Sequence, residues 1–395
     1  MRVTTRFVII LAIVASLFSF AKSYHCSSNG WSSPDREIHA CYSDLPALYG
    51  ERGLDKGIWA YSRGDQAVEY PVLQGTVMWV TAKIFPSGAT GYFYGNAILL
   101  ALLFIFTAWI TFRIKPEYSY LLSVAPAVIA SMFVNWDLWG IATMMMAIYW
   151  FDRKSDLASS IALGISIATK FFPIILLIPI AVICLRLQSI QRFLKYLGIT
   201  ALTFILINAP FALTTPTGWW RFYSMNLNRG SDWGSLWYAL SGLGLNFTHQ
   251  NYLSVLCLAI GITGLIIYLL QLRSTPTLAD TAVMVMIIVM AVSKVYSPQY
   301  VLWLVPLAVI ALQDKRDLTT FWVWQGSELL YHVAIWEHLA LLSGARFGLP
   351  LAWYCIATLI RIGASLFFLV SMARRRQNSR VFPSEFLLST AESYP

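Results

Sequence analysis

The sequence has few charged residues: Asp, Glu, Lys and Arg together make up 12% of its 395 residues. A soluble domain usually carries about a quarter. This chain has instead 58% hydrophobic residues and a mean hydropathy of +0.63. A soluble protein of this length could not bury so much apolar surface, whereas lipid solvates apolar side chains on the outside of a protein as well. The composition therefore predicts one integral membrane domain.

Several signatures of nucleotide and metal chemistry are missing. The sequence has no GxGxxG or P-loop pattern, no zinc-ligand spacing, no Ser-His-Asp arrangement and no internal repeat. The net charge of +9 does not indicate nucleic acid, because the basic residues lie in short loops between apolar runs and form no stripe with interleaved aromatics. We predict no nucleic-acid partner and no cofactor, with a divalent metal as an open alternative.

Cysteines are scarce, and their positions separate two groups. Cys184, Cys257 and Cys355 lie in apolar runs, where they act as packing residues. Cys26 and Cys41 share the first polar segment and can pair if that segment faces an oxidising compartment. Sequence alone does not supply the geometry that a disulfide needs, so the paired and the free states both stay open.

Apolar runs recur along the whole chain. The first, Phe7–Phe20, follows Arg2 and Arg6, and we favour an uncleaved first helix over a cleaved signal peptide. Several of the other runs are shorter than the roughly 20 residues of a perpendicular span, which is tolerated where helices pack among others. We predict an all-α polytopic transmembrane protein with about 12 helices and a long first extracytoplasmic loop. The later runs are Tyr70–Phe85, Gly91–Phe112, Tyr118–Val134, Leu138–Phe151, Leu157–Thr169, Phe171–Leu185, Phe193–Leu213, Tyr252–Leu272, Thr277–Val292, Tyr300–Leu312, Phe321–Trp336 and Leu351–Met372.

Basic clusters predict the orientation, because Lys and Arg concentrate in cytoplasmic loops. They place both termini in the cytoplasm and segments 22–68 and 214–251 outside, within a single domain of residues 1–376 and before a disordered tail at 377–395. Cytoplasmic termini require an even number of crossings, whereas the apolar runs are odd in number. Either Tyr70–Phe85 or Tyr118–Val134 is therefore expected not to cross fully. The clusters are Arg113/Lys115, Arg153/Lys154, Arg186/Arg192/Lys195, Arg273, Lys315/Arg316 and Arg374–Arg376.

The informative residues are polar ones that gather on the predicted outer side. Ionisable groups at membrane depth are costly and mark either a site or a structural pair. Asp137 and Lys170 fit both interpretations: they form an ion pair between helices, or Lys170 neutralises a ligand phosphate while Asp137 lines a cavity. The full set is Asp44, Glu69, Tyr70, Asn135, Asp137, Lys170, Arg221, Arg229, Lys294, Tyr296 and Gln299.

Simpler interpretations exist for some of these residues. Asp44 is followed by Pro46, which fits the start of a helix, so this carboxylate is either a helix cap or a solvated loop acid unless other information favours a site. Arg221 and Arg229 can extend to lipid headgroups. His332 and His338 lie six residues apart on an aromatic-rich segment, a spacing that favours packing over a shared metal.

The order of five motifs resembles a known family. Cys41-Tyr42-Ser43-Asp44, Glu69-Tyr70-Pro71, Asn135-Trp136-Asp137, the Gly-x5-Lys motif ending at Lys170-Phe171-Phe172-Pro173, and Ser297-Pro298-Gln299-Tyr300 are together similar to the integral-membrane glycosyltransferases of family 87, which have the GT-C fold. The resemblance covers roughly residues 6–376.

The resemblance implies a function at the outer face of the plasma membrane. Such enzymes take mannose or arabinofuranose from a polyprenyl-phosphate donor and pass it to a cell-envelope glycolipid or polysaccharide. Asp44 matches the position of the catalytic acid in the first outer loop. Mannosyl-transferring relatives often carry histidine in the late outer turn, where this chain has Lys294 and Tyr296. The resemblance therefore leaves the sugar open.

General chemistry agrees with that implication. A carboxylate can accept the proton of the attacking hydroxyl, and Lys170, with Lys294 or an outer-loop arginine, can stabilise the charge on the departing lipid phosphate without a metal. We expect single displacement with inversion. The alternative is a lipid or small-solute transporter or flippase, which the lack of paired repeats disfavours. A scaffold protein without chemistry is a third interpretation.

Overall fold

The computed structural model describes residues 3–378, and all regular secondary structure in that range is helical. This confirms the predicted class, an all-α polytopic membrane protein. Three short 3₁₀ segments lie at Gly64–Gln66, Phe172–Leu176 and Pro298–Tyr300. The α-helices are α1 (Thr5–Ser28), α2 (Asp35–Ile38), α3 (Asp44–Glu51), α4 (Val72–Ile84), α5 (Gly88–Ile114), α6 (Leu121–Val124), α7 (Pro126–Ser131), α8 (Asp137–Asp152), α9 (Asp156–Thr169), α10 (Leu177–Arg186), α11 (Ile190–Thr214), α12 (Pro216–Asn228), α13 (Leu236–Gly242), α14 (Gln250–Gln271), α15 (Leu278–Val292), α16 (Val301–Ala311), α17 (Lys315–Leu342) and α18 (Leu351–Asn378).

Within residues 3–378, five helices are long and apolar enough to cross a bilayer by themselves: α1, α5, α11, α14 and α18, with candidate spans of 22 to 27 residues. At 1.5 Å per residue they exceed the hydrocarbon thickness of about 30 Å. Shorter apolar helices, among them α9, α15 and α16, pack between them. Every residue of α16 from Val301 to Ala311 is buried, so the protein itself shields this short helix from lipid.

The segment Tyr118–Val134 does not form one continuous helix. It contains α6 and α7, of 4 and 6 residues, separated at Ala125. Ala125 has an extended conformation because the ring of Pro126 disfavours the helical region for the residue before it. Helices of this length are far shorter than a bilayer-spanning segment. The other candidate for an incomplete crossing, α4, is a continuous helix of 13 residues.

The first helix extends further than the apolar pattern predicts. We expected it to end near Phe20, but α1 continues to Ser28 because Lys22 finds partners inside the protein. Its ammonium donates to the carbonyls of Ala40 and Ala130, each at 2.7 Å. A disulfide between Cys26 and Cys41 then ties the end of α1 to the following loop, with Cα atoms 5.9 Å apart. The paired alternative is therefore the one present.

The second long polar segment, 214–251, is mostly helical. It holds α12 and α13, joined by residues 229–235. Residues 64–66 of the first loop pack against α12, so the two predicted outer loops meet each other. The predicted domain of residues 1–376 stays a prediction. The predicted tail falls almost entirely on residues 379–395, which lie outside the described part of the chain.

A buried ion pair joins α17 to α18 and holds the turn before α16. Arg361 on α18 is fully buried and donates to Glu328 on α17 at 2.8 Å. The same guanidinium donates to the backbone carbonyls of Tyr296 at 2.6 Å and Ser297 at 3.2 Å. Tyr296 in turn donates its hydroxyl to Glu328 at 3.0 Å. One cation thus satisfies a carboxylate and two carbonyls away from water.

Replacing Arg361 with methionine is expected to destabilise the protein by about 3–5 kcal/mol, because Glu328 is left as an uncompensated buried charge. Unfolding of the purified protein in detergent measures this. The double variant Arg361→Met with Glu328→Gln should recover part of the loss. Arg316→Met is the matched control, since Arg316 pairs with Asp314 while its side chain is 77% exposed, and it should change stability little. Equal melting of the two single variants would contradict the prediction.

Candidate active site

Polar side chains from four loops meet where helices end on one side of the molecule. Asp44 opens α3, and its backbone N–H donates to the carbonyl of Val134 at 2.8 Å. That contact places the first loop directly beside Asn135, which lies in the turn between α7 and α8. Lys170 follows α9 in an extended conformation. Each side chain can point inward because it lies at a helix end and not within an apolar span.

Asn135 links the Asp44 carboxylate to the Lys170 ammonium group. Its side-chain amide donates to Asp44 Oδ2 at 2.6 Å and to the Tyr70 hydroxyl at 2.8 Å. Its carbonyl oxygen accepts from Lys170 Nζ at 3.0 Å. An ammonium group can only donate, so Lys170 fixes which end of the amide faces it. The NH₂ group must then face Asp44, which favours the ionised carboxylate.

Lys170 has two further neighbours. Its ammonium lies 3.4 Å from Asp137 Oδ1 and 4.2 Å from the centre of the Tyr70 ring. Asp137 Oδ1 also accepts from the Trp303 indole at 2.8 Å. The ion pair proposed as the simpler explanation of these two residues is therefore present, and both residues also line a cavity.

Gly140 on α8 makes this arrangement possible. A Cβ atom at position 140 would lie 2.7 Å from the Trp303 ring and 3.0 Å from Lys170 Cβ. Contacts that short are repulsive, so a larger residue would displace Lys170 or Trp303. The close packing of Trp303 and Lys170 against position 140 requires glycine. The backbone there is helical, a conformation that any residue can adopt.

The Asp44 carboxyl has properties suited to accepting a proton near neutrality. Burial raises the pKa of Asp44 to about 6, well above the ordinary value, although the hydrogen bonds from Asn135 and Tyr42 and the charge of Lys170 lower it. Tyr42 donates its hydroxyl to Asp44 Oδ1 at 2.9 Å. With one lone pair of each oxygen used in this way, the carboxylate is oriented and still has acceptor capacity.

These groups line a cavity of about 1050 Å³. One part of its wall is polar and contains the Asp44, Asn135 and Lys170 cluster. Another part is apolar and aromatic, formed by Phe171, Phe172, Ile174, Trp220, Phe222 and Leu227. A cavity with one charged wall and one apolar wall can take an amphiphilic ligand.

Charged pairs surround the polar part of the cavity. Arg52 forms a two-point contact with Glu69, at 2.6 and 2.8 Å. Arg229 forms an ion pair with Asp232. All four residues line the cavity. Their side chains are partly exposed to it, so an anionic ligand can compete for either arginine.

The structure brings together most of the residues singled out from the sequence. Lys294 instead donates to the carbonyl of Arg229 at 2.6 Å, and Tyr296 is fully buried against Glu328. Arg221, Lys294 and Tyr296 are not among the lining residues, and their predicted substrate contacts remain predictions. Those on the cavity wall are Asp44, Glu69, Tyr70, Asn135, Asp137, Lys170, Arg229 and Gln299.

Sequence reasoning missed several wall residues. Tyr42 lies two positions before Asp44, a distance at which a hydroxyl can reach the same carboxylate, so the motif carried that signal. Trp303 lies one helical turn after Tyr300, but nothing distinguishes it from other apolar residues of α16. Arg52 is one of several charges in a polar loop, and only the fold shows that it faces Glu69.

Metal-ligating residues are also grouped elsewhere. Within residues 3–378, a group of side chains that could together bind one metal ion is formed by His25, Asp35 and His39. These three residues are not on the cavity wall.

A solved structure is similar to this chain, although its sequence is distant. No family model matches the sequence, and no curated protein matches it. The crystal structure of ArnT from Cupriavidus metallidurans in the apo state is similar to this chain with a TM-score of 0.49 and 16% sequence identity. The aligned part covers 94% of this chain and 77% of that chain. The resemblance to family 87 continues to depend on the motifs.

Replacing Asn135 with leucine should raise the pKa of Asp44 further above 6, because the carboxylate loses a hydrogen bond that favours its ionised form. Infrared titration of the carboxyl C=O stretch measures this, and Asp44→Asn identifies the band. Asn226→Leu is the control, since Asn226 also lines the cavity but donates to the carbonyl of Phe222. An unshifted band in Asn135→Leu would show that the amide does not stabilise the charge.

Proposed function

We propose that this protein is a membrane glycosyltransferase that uses a polyprenyl-phosphate sugar as donor. The observation that carries the proposal is the hydrogen-bonded chain from Asp44 through Asn135 to Lys170 on the wall of a large cavity. It places a carboxylate and an ammonium group beside one ligand-sized space. Sugar transfer from a lipid phosphate needs both groups, one for the incoming hydroxyl and one for the departing phosphate.

Asp44 is the proposed general base. The acceptor hydroxyl attacks the anomeric carbon of the donor, and its proton passes to the Asp44 carboxylate. The bond between the anomeric carbon and the phosphate oxygen breaks, and the lipid phosphate leaves with the electron pair. A single displacement of this kind inverts the configuration at the anomeric carbon. A pKa of about 6 leaves Asp44 ionised at neutral pH and still basic enough to accept the proton.

Lys170 is the proposed partner of the departing phosphate. The donor is a phosphodiester with one negative charge, and the product is a monoester that gains a second. A positioned ammonium group stabilises this increase without reorganising during the reaction. Arg229, also on the cavity wall, is the second candidate. Its contact with Asp232 holds the side chain in place.

The apolar part of the cavity suits the lipid carrier. Phe171 and Phe172 directly follow Lys170, and Trp220 and Phe222 face the same space from α12. An isoprenoid chain buried there would bring its phosphate to Lys170. We infer that this cavity lies on the outer face of the plasma membrane and that both termini are cytoplasmic, an orientation that the positions of the basic clusters support. Mannose and arabinofuranose are both proposed as donor sugars on the resemblance alone, and a cell-envelope glycolipid or polysaccharide as acceptor.

Asp44→Asn should lower transfer by at least about 10²-fold while the protein still folds, because the amide cannot accept the proton. Membranes containing the variant are incubated with labelled polyprenyl-phosphate mannose or polyprenyl-phosphate arabinose, and the product is counted. In the unchanged protein, kcat/KM should rise with pH up to about 6 and then level off, since only the ionised carboxylate acts. Asp55→Asn, at an exposed position of the same loop, is the control.

Full activity of Asp44→Asn would remove the proposed base. Counterflow of a labelled solute in proteoliposomes, without a covalent product from either donor, would favour the transporter interpretation instead.

Lys170→Gln should lower kcat by about 10²–10³-fold, because a donor aimed at the developing charge is lost. KM should change less, since the donor carries less charge before the reaction than after it. Steady-state kinetics with the active donor separate the two effects. Lys56→Gln is the matched control, because Lys56 is an exposed lysine of the first outer loop that does not line the cavity. Equal losses of kcat in both variants would rule out a specific role for Lys170.

A further inference from the structure

Three potential metal ligands meet at the start of the first loop, outside the cavity. His25 lies in the last turn of α1, Asp35 is the first residue of α2, and His39 directly follows α2. The Cys26–Cys41 disulfide joins the residue after His25 to a residue two positions beyond His39. It therefore keeps the two histidines near each other whether or not an ion is bound.

The distances are close to those of a metal site. His25 Nε2 lies 2.9 Å from Asp35 Oδ2, and His39 Nδ1 lies 3.1 Å from Asp35 Oδ1. The two imidazole rings are tilted by 36° to each other, with their centres 3.8 Å apart. Ligand atoms of a tetrahedral zinc ion lie roughly 3.3 Å from one another. These two contacts would thus need to open by only a few tenths of an ångström, and all three ligand atoms already lie within 4.8 Å of one another.

The ligand types agree with a transition metal. Two imidazoles and one carboxylate suit zinc and its neighbours better than magnesium or calcium, which prefer oxygen ligands. The side chains of His25, Asp35 and His39 are 39%, 33% and 46% exposed. Water can therefore reach the cluster, and an ion can enter and keep a water molecule as its fourth ligand.

The backbone carbonyl oxygen of Asp35 lies 3.0 Å from His39 Nδ1, and Asn29 is a further polar neighbour of the cluster. Its side-chain nitrogen lies 3.2 Å from His25 Nε2 and 3.3 Å from Asp35 Oδ2. Without an ion, these contacts together make a hydrogen-bonded His–Asp–His group, which is the simpler explanation of the cluster. A bound ion would replace the direct contacts between His25, Asp35 and His39. The Asn29 amide would still donate to the Asp35 carboxylate and help to orient it.

We propose that His25, Asp35 and His39 bind a divalent transition-metal ion such as Zn²⁺. The site is independent of the proposed transfer reaction. It lies next to the cavity wall, because Arg36 and Glu37 from the same short helix line the cavity. A bound ion would fix α2 to the end of α1. The segment that continues through Tyr42 to Asp44 would then be held at both ends.

Metal titration of the full-length protein tests this proposal. The protein is purified in detergent with any polyhistidine tag removed, stripped with chelator, and titrated with Co²⁺ or Zn²⁺. Thiol reductant is omitted, because reduced Cys26 and Cys41 would themselves bind zinc. We expect one equivalent to bind, with the visible absorption of tetrahedral Co²⁺ and a higher melting temperature.

His25→Ala and His39→Ala should each weaken the affinity at least tenfold, and Asp35→Asn should weaken it as well. His249→Ala is the matched control, since His249 is an exposed histidine in another loop, and it should bind as the unchanged protein does. Binding that is absent at micromolar free metal, or that is equal in all four variants, would overturn the proposal.

Discussion

The contact between the Lys170 ammonium and the Asn135 amide sets the direction of the hydrogen bonds that this amide makes at the polar end of the cavity. Because the ammonium can only donate, the amide oxygen must face it, and the amide nitrogen faces Asp44 and Tyr70. An amide turned the other way would present its oxygen to a carboxylate and repel it. One cation on the loop after α9 thereby orients an acid on the first loop.

The architecture can collect these groups because the middles of spanning helices are largely apolar, and a charge there needs a buried partner, as Arg361 has in Glu328. Polar side chains are tolerated at helix ends, and four such ends converge around Asn135. Asp44 begins α3, Asp137 begins α8, Lys170 follows α9, and Gln299 precedes α16. The Arg361–Glu328 pair holds the last of these turns through the carbonyls of Tyr296 and Ser297. The cavity wall is thus assembled from helix ends and fixed by a buried ion pair behind it.

The sequence was most informative where polar residues interrupt apolar runs. Asn135, Asp137 and Lys170 stand out for that reason, and the structure brings them together. Arg52 could not be found, because it lies among other charges in a polar loop. Lys294 and Tyr296 were named from their position near Gln299, but their side chains turn toward Arg229 and Glu328. Linear position does not give the direction of a side chain in an irregular turn, and tertiary contacts decide it.

The two explanations of the Asp137–Lys170 pair are compatible. The separation of 3.4 Å is longer than the usual 2.7–2.9 Å of a charge-assisted hydrogen bond, and Asp137 Oδ1 already accepts from Trp303. Lys170 therefore keeps a hydrogen for a ligand while Asp137 offsets its charge. Asp137 lowers the attraction of Lys170 for the donor and the product alike, but what remains is stronger for the doubly charged product than for the singly charged diester, because Coulomb attraction scales with the ligand charge. The ammonium group therefore stabilises the state with more phosphate charge more strongly, which is the requirement for accelerating the transfer step.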